Sequence, residues 1–113
     1  MHELSVAESI VTIIKENTDG GDAKVSAVRV RIGELAGVIP ESLEFCFSAI
    51  TAGTSLEGSR LEIERTAIVC HCEACGTDST VNGLVFRCPR CHGPHITITS
   101  GNELQVVEIE IDD

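Results

Sequence analysis

At 113 residues with 42% hydrophobic side chains, the chain is long enough for one modest core with a small accessory module but too short for two full cores. Its formal net charge of −10 and aromatic content of 3% argue against a nucleic-acid partner, because such binding relies on Lys and Arg at phosphates and on aromatic rings stacked on bases. The amino terminus lacks the basic and apolar regions of a secretory signal and no apolar run reaches membrane-spanning length, which predicts a cytoplasmic protein without a membrane partner.

The first predicted element is a helix that begins at about Val6. Ser5 and Glu8 fit a capping box, in which the Ser5 hydroxyl accepts from the Glu8 amide while the Glu8 side chain reaches back. Apolar residues at helical spacing then form one face, made of Val6, Ile10, Ile13 and Ile14. The turn-forming run at 17–21 ends the helix. The residues before Ser5 are therefore expected to lie outside it.

A strand and a second helix follow. From Lys24 the apolar residues recur with period two, which is typical of a half-buried strand. Pro40 and Glu41 suit the first turn of a helix, and Gly53 marks its expected end. Cys46 falls on the apolar face of this helix, where we interpret it as a small buried hydrophobic residue.

A longer strand is predicted to run without a break into a cysteine-rich segment. Its core-facing residues are expected to be Leu61, Ile63, Ala67 and Val69, with Arg65 as the exception to the alternation. A short strand near residue 97 and a last strand near residue 109 complete the pattern. We predict an α+β fold, a small mixed sheet with two helices on one face, plus an inserted zinc-ribbon-like domain. Residues 1–69 and 97–113 would form the main domain and residues 70–96 the insert.

Two Cys-x2-Cys pairs give the strongest chemical signal in the sequence. They are formed by Cys72, Cys75, Cys88 and Cys91. A hairpin signal at Asn82-Gly83 brings the pairs together, and Gly76 and Gly93 let backbone amides approach the sulfurs. Clustered cysteines in a cytoplasmic protein indicate metal ligands before disulfides. We predict one structural zinc ion held by four thiolates, with iron as the chemical alternative in the same cage.

Neighbouring thiols and imidazoles are weaker candidates for metal ligands. Cys70 is expected to be a strand-end residue, with alternate ligation left open. His71 and His92 flank the ligands and are expected beside the site or in solvent, binding only if a sulfur is lost. The run 88–92 also matches the short signature for c-type haem attachment, but that interpretation needs an exported protein and leaves the first cysteine pair without a role.

The first residues offer a second, different set of metal donors. The α-amine, whose ordinary pKa is about 7.7 to 8.0, can close fused chelate rings with the amide and imidazole of His2. Planar nitrogen coordination suits Ni(II) or Cu(II) better than zinc, and Glu3 can add its amide or carboxylate. A histidine at position two also arises by chance in many chains, where it is simply exposed. These residues alone therefore do not establish a metal site.

Five segments spread over the whole chain resemble one known family. They are Met1-His2-Glu3-Leu4-Ser5, RIGELAGVIPESLEFCF, CHCEACG, CPRCHG and SGNELQVVEIEID. The resemblance is to the HypA/HybF family of hydrogenase maturation factors, and it implies a nickel metallochaperone without catalysis of its own. By this resemblance Met1, His2 and Glu3 would hold transferable Ni(II) in the main domain, while the four cysteines named above would hold structural zinc.

The resemblance also implies partners for the protein. These are a nickel-handling GTPase of hydrogenase maturation and the large subunit of a NiFe hydrogenase, with urease served by some members; a homodimer is left open. Glu41 falls close to an acidic residue that approaches nickel in some relatives, although this chain has IPES there. His71 stands where some relatives have an aromatic residue.

Two other classes of function compete with a metal carrier. A zinc-ribbon module for protein interaction or nucleic-acid binding would use the same cysteines, but the acidic composition argues against the nucleic-acid form. An enzyme that uses cysteine and histidine would need an ordered constellation of these groups with a carboxylate, or a phosphate loop, and the sequence offers neither.

Overall fold

The computed structural model describes residues 3–18, 24–81 and 87–112. Its elements in chain order are α1 (Glu3–Glu16), β1 (Lys24–Gly33), a 3-10 helix (Glu34–Ala36), α2 (Pro40–Thr51), β2 (Arg60–Thr66), β3 (Ile68–Cys72), β4 (Asp78–Val81), β5 (Ile96–Ser100) and β6 (Leu104–Asp112). The strands form two sheets, ordered β2-β1-β6 and β4-β3-β5. The predicted α+β class is confirmed. In the described part of the chain, no helix has the length and apolar character needed to span a membrane.

The chain divides into two compact units. Unit 1 contains the described residues of 1–31, 37–64 and 105–113, and unit 2 contains 32–36 together with the described residues of 65–104. Both helices therefore belong to unit 1, and both cysteine pairs belong to unit 2. The assignment of nickel to the segments 1–69 and 97–113, and of zinc to 70–96, stays a prediction.

The first sheet is mixed, as the side-chain contacts along β1 indicate. The contacts are Ser26 Oγ to the Glu110 carbonyl oxygen, Arg29 to Glu108, Ser59 Oγ to the Val25 carbonyl oxygen, and Arg31 to Glu64. Residue numbers in β6 fall as those in β1 rise, so these two strands run antiparallel. Numbers on the β2 side rise together with those in β1, so this pair runs parallel.

The two helices pack against each other and each buries one side, which is apolar except for Thr51. The buried members are Val6, Ala7, Ile10 and Ile14 in α1, and Leu43, Phe47 and Thr51 in α2. Residues four apart lie on one side of a helix, so positions 6, 10 and 14 define the stripe of α1. Ile13 was predicted to belong to this face, but it lies to one side and is 38% exposed.

The prediction that α1 begins at Val6 was wrong, because the helix begins at Glu3. Ser5 lies inside the first turn and is exposed, so it is not the capping residue. The Glu3 carboxylate instead accepts a hydrogen bond from the backbone N–H of Ile39, with an oxygen–nitrogen distance of 3.2 Å. An acidic side chain in the first turn also interacts favourably with the positive end of the helix.

The end of α1 and both ends of α2 lie close to the positions that the sequence predicts. α1 ends at Glu16, before the turn-forming run whose residues 19–21 lie outside the described part of the chain. α2 begins at Pro40, which lacks the N–H group that would be unpaired at that position. α2 ends at Thr51, and Gly53 follows in the left-handed conformation with a φ of 76°. The Asn82-Gly83 hairpin signal also falls outside the described residues.

The strand predicted to run unbroken into the cysteines is in fact two strands in different sheets. β2 ends at Thr66, Ala67 is exposed, and β3 buries Ile68, Cys70 and Cys72. The expectation that Ala67 and Val69 face the core was therefore wrong. The less exposed side of the chain changes from odd residue numbers to even ones after Ile63, where Glu64 and Arg65 are both exposed. This change places the first metal-binding cysteine on the buried side of β3.

Glu103 closes the turn between β5 and β6. Its carboxylate accepts hydrogen bonds from the Thr66 hydroxyl (2.6 Å), the Ser100 hydroxyl (2.9 Å) and the Gly101 amide (2.8 Å). These donors, with Thr66 first, favour the ionised form and lower the pKa of Glu103 to about 2. Gly101 has a φ of 117°, so the turn also needs glycine at that position.

We expect Glu103→Gln to destabilise the protein at neutral pH, because the amide nitrogen would face hydrogen-bond donors. A carboxyl with a lowered folded-state pKa contributes stability above its ordinary value of 4.5, and that contribution is lost as the pH falls toward about 2. The difference in unfolding free energy between wild type and variant should therefore shrink over this window. Urea unfolding followed by circular dichroism at several pH values measures it.

Glu108→Gln is the matched control for this experiment. Glu108 pairs with Arg29 at 3.0 Å, but its side chain is 56% exposed, so removal of its charge should change stability little at any pH. A Glu103→Gln penalty that stays constant from neutral pH to pH 2 would show that the lowered pKa of Glu103 contributes nothing to folding.

Candidate metal centre

Four cysteine side chains converge in unit 2. The sulfur atoms of Cys72, Cys75, Cys88 and Cys91 all lie within 4.8 Å of one another. The Cys72 and Cys91 sulfurs are 3.6 Å apart, and those of Cys75 and Cys88 are 3.7 Å apart. A tetrahedral ion with metal–sulfur bonds of about 2.3 Å requires sulfur–sulfur edges of about 3.8 Å. The spacing therefore fits one tetrahedral ion with four sulfur ligands.

The first Cys-x2-Cys pair is held in a hydrogen-bonded turn. The Cys75 amide donates to the Cys72 sulfur at 3.4 Å, and the Gly76 amide donates to the Cys72 carbonyl oxygen at 2.8 Å. The Cys72 amide closes the turn by donating to the Thr77 carbonyl oxygen at 3.0 Å. An amide aimed at a sulfur stabilises the thiolate form that binds metal.

The second pair repeats the same pattern. The Cys91 amide donates to the Cys88 sulfur at 3.5 Å, and the His92 amide donates to the Cys88 carbonyl oxygen at 2.8 Å. The Cys88 amide donates to the Gly93 carbonyl oxygen at 3.0 Å. Two equivalent turns thus present two sulfurs each to a common centre.

The fifth residue of each turn has a left-handed backbone. It is Gly76 in the first turn, with a φ of 71°, and His92 in the second, with a φ of 62°. The sequence prediction did not include a left-handed residue at His92, which aligning the two turns residue by residue would have found. The predicted approach of an amide at Gly93 agrees with the structure, where the Gly93 amide acts on the Cys91 sulfur. Gly93 has a different reason to be glycine, since a Cβ there would lie 3.3 Å from the Cys91 sulfur.

The protonation of the four thiols is strongly coupled. Hydrogen bonds from the Thr77 hydroxyl and amide lower the pKa of Cys75 to about 6. The Gly93 amide likewise lowers the pKa of Cys91. The Cys72 thiol, the other neighbouring thiols and desolvation outweigh this effect, so that the pKa of Cys91 is raised to about 11. Four thiolates this close repel one another, so a divalent cation is needed to hold them all in the ionised form.

Cys70 lies outside the four-sulfur group among the described residues. It is 1% exposed and packs with Ile68 and Val81 in a hydrophobic cluster. Burial, the largest cause, raises the pKa of its thiol. Cys70 is therefore placed as a core residue of unit 2, and the alternative of metal ligation gains no support.

The histidines near the cysteines are also outside the described four-sulfur group. His71 Nδ1 lies 2.6 Å from Asp78 Oδ1 across the β3–β4 pairing, and this hydrogen bond raises the pKa of His71. His92 is exposed at its left-handed position. His95 contributes its carbonyl oxygen, which accepts from the Glu73 amide at 2.9 Å.

Of the three predicted nickel-binding residues, Glu3 is described, whereas Met1 and His2 lie outside the described residues. Glu3 contributes to a cavity of about 380 Å³ in unit 1, which is lined by Glu3, Leu4, Glu41, Ser42, Phe45 and Cys46. Cys46 is only partly buried, which corrects its interpretation as a core residue. Phe45 is 74% exposed at this cavity.

The fold and the four-sulfur centre define a small α+β protein that binds metal through a zinc-ribbon-like pair of Cys-x2-Cys turns. The family model described as "Hydrogenase/urease nickel incorporation, metallochaperone, hypA" matches residues 1–111. The chain belongs to this HypA family of hydrogenase maturation metallochaperones.

Individual relatives and solved structures agree with the family. Hydrogenase maturation factor HypA of Geobacter metallireducens is 42% identical over 99% of this chain and 100% of the relative. The Chloroflexus aurantiacus protein of the same name is 44% identical over 97% and 98% of the two chains. The solution structure of the Ni metallochaperone HypA from Helicobacter pylori is similar with a TM-score of 0.67, at 26% identity and with 98% and 97% of the chains covered.

Proposed function

We propose that the protein carries Ni(II) at its amino terminus for delivery to a hydrogenase precursor and holds a separate, structural zinc ion in the four-cysteine centre. The observation that carries this division is the sulfur geometry of the centre. Four thiolates fill every position around a tetrahedral ion, so the centre leaves no open position for a metal that must be exchanged. The transferable ion then needs other donors.

The chain's first residues supply donors of the right kind. The Met1 amine, the His2 amide and the His2 imidazole can form a planar set of nitrogen ligands, which favours Ni(II) over zinc. In the sequence these donors come immediately before Glu3, the first residue of α1. A carrier needs a site that binds selectively and also releases, and a chain terminus meets this need better than a closed cage.

Such a carrier has a cellular location and partner proteins to which it delivers the metal. It would act in the cytoplasm without a catalytic step of its own. Its partners would be a nickel-handling GTPase and the large subunit of a NiFe hydrogenase, and the family description also names urease. The formal net charge of −10 supports protein partners with basic surfaces over nucleic acid.

Native mass spectrometry tests the two-metal proposal directly. Protein purified with zinc should carry one tightly held zinc ion per chain, and nickel addition should add one further ion without displacing zinc. A mild chelator should then remove nickel while zinc stays. Nickel that enters only by replacing zinc would refute the division between the two sites, and a protein that takes up no nickel would refute the carrier function.

A further inference from the structure

We propose that the outer edge of β6 is a docking strand, which pairs with an extended segment of a partner protein in which basic and aliphatic residues alternate. In the sheet order β2-β1-β6, β6 has β1 as its one neighbour within the part of the chain that the structure describes. The inference concerns residues 105–112, which belong to unit 1, and it does not depend on which metal the protein carries.

β6 has the length and the backbone groups that such pairing requires. The strand covers 9 residues, Leu104–Asp112, which corresponds to a length of about 30 Å. The N–H and C=O groups of successive strand residues point to alternate sides, so every second residue of β6 directs both groups away from β1. An edge of this kind is a template for a further strand, and β6 contains neither the proline nor the lysine that often blocks it.

One face of β6 is aliphatic and incompletely covered. Arg29 of β1 contacts Glu108 of β6, so alternation places Val107 and Ile111 on the face opposite that contact. On the same face of the neighbouring strand, Val30 is buried. Val107 and Ile111 are nevertheless 37% and 46% exposed. A further strand at this edge would cover them with aliphatic side chains of its own.

The other face of β6 is acidic, and its charge determines which segment fits. Glu108 pairs with Arg29 at 3.0 Å, whereas Glu110 and Asp112 form no ion pair with another described residue. β1 shows the kind of sequence that matches β6, because it alternates valine with arginine over residues 28–31. A partner segment with the same alternation would bring a cation opposite Glu110 while its aliphatic residues lie on the other face.

A second copy of this chain fits the same edge poorly. Pairing of β6 with another β6 would bring the acidic residues of both strands together on one face, and like charges opposite each other destabilise a pair of strands. The formal net charge of −10 on each chain adds repulsion. The charge therefore assigns the edge to a basic segment of a different protein.

Short synthetic peptides test the assignment on the full chain. One peptide alternates valine with arginine, and a second has glutamate in place of each arginine. Fluorescence polarisation should show binding of the arginine peptide and no binding of the glutamate peptide. A third peptide keeps the arginine sequence but carries N-methyl groups on alternate backbone nitrogens. It has the same charge but cannot donate to a strand edge, so it should not bind.

Glu110→Lys tests the charge of the edge. We expect this variant to bind the arginine peptide about tenfold more weakly, because an attractive cross-strand pair becomes a repulsive one, and to gain affinity for the glutamate peptide. Glu44→Lys is the matched control, since it makes the same change of charge at an exposed position of α2. The control should leave both affinities unchanged. Circular dichroism verifies the fold of both variants.

Amide hydrogen exchange locates the bound peptide on the wild-type protein. The arginine peptide should increase protection at every second amide of β6 and leave β1 as protected as before. Unchanged exchange in β6 would place the peptide elsewhere, and lost protection in β1 would mean that the peptide had displaced that strand. Either result would overturn the inference, as would the absence of binding or equal affinity for the arginine, glutamate and N-methylated peptides. Protection of β6 that rises with protein concentration alone would identify a second copy as the occupant and overturn it as well.

Discussion

Replacement of Cys72 by alanine is expected to release the zinc ion and unfold unit 2. The Cys72 side chain is fully buried, and its sulfur lies 3.6 Å from that of Cys91. The described hydrophobic cluster of unit 2 is small, with three buried members, Ile68, Cys70 and Val81. Structural zinc contributes about 10 to 16 kcal/mol of apparent binding free energy in small zinc-finger peptides, far more than such a cluster can supply. Zinc analysis and amide NMR spectra measure the two losses.

Other cysteines in the chain provide matched controls for this prediction. Cys91→Ala should lose zinc in the same way, although Cys91 is exposed, because it removes a ligand rather than core volume. Cys70→Ala should keep zinc and lose only about 1 kcal/mol of stability through reduced packing. Cys46→Ala should keep both zinc and stability. Equal zinc loss in all four variants would mean that the proposed ligand set, Cys72, Cys75, Cys88 and Cys91, is wrong.

Replacement of His2 by alanine is expected to abolish high-affinity nickel binding while zinc content and fold stay unchanged. The imidazole closes the chelate that the terminal amine begins, and without it one amine and backbone amides bind nickel only weakly. Addition of one or two residues before Met1 should impair binding as well, because the free amine moves away and the former terminal nitrogen becomes an amide. Calorimetric titration with nickel measures the effect in each protein.

His95→Ala is the matched control for the loss of an imidazole. His95 is exposed, and its described contact uses the backbone carbonyl oxygen, so its side chain can be removed without a change in nickel affinity. Far-ultraviolet circular dichroism and zinc content verify the fold of every variant. Nickel affinity that is unchanged in His2→Ala would reject the terminal site altogether, and unchanged affinity in the extended protein would remove the amine from it.

The features that the sequence predicted well depend on short distances along the chain. The apolar stripe through Val6, Ile10 and Ile14 identifies α1 because helical period is a local property. The four-sulfur group follows from the two-residue spacing within each cysteine pair, which restricts both sulfurs of a pair to one side of a turn. Pro40 marks the start of α2 through its missing N–H group.

The features that the sequence did not reveal depend on groups far apart in the chain. The start of α1 coincides with a hydrogen bond between Glu3 and Ile39, which no local pattern encodes. Glu103 resembles any other surface glutamate in the sequence, and its importance comes from donors supplied by three other residues, one of them Thr66 in another strand. The division into β2 and β3 was not predicted because both segments have period two. Arg65 interrupts the alternation, but the sequence does not show that the two strands pair in different sheets.

The alternation of side chains along β3 makes the spacing of its residues as important as their identity. β3 pairs with β4 and β5 and buries Ile68, Cys70 and Cys72. His71 lies between two of these residues and is partly exposed. A one-residue insertion beside His71 would have a different consequence from a substitution, because side chains alternate between the two faces of a strand. If Cys70 kept its pairing, the Cys72 sulfur would turn away from the other three sulfurs, and the centre would lose a ligand although no cysteine had been replaced.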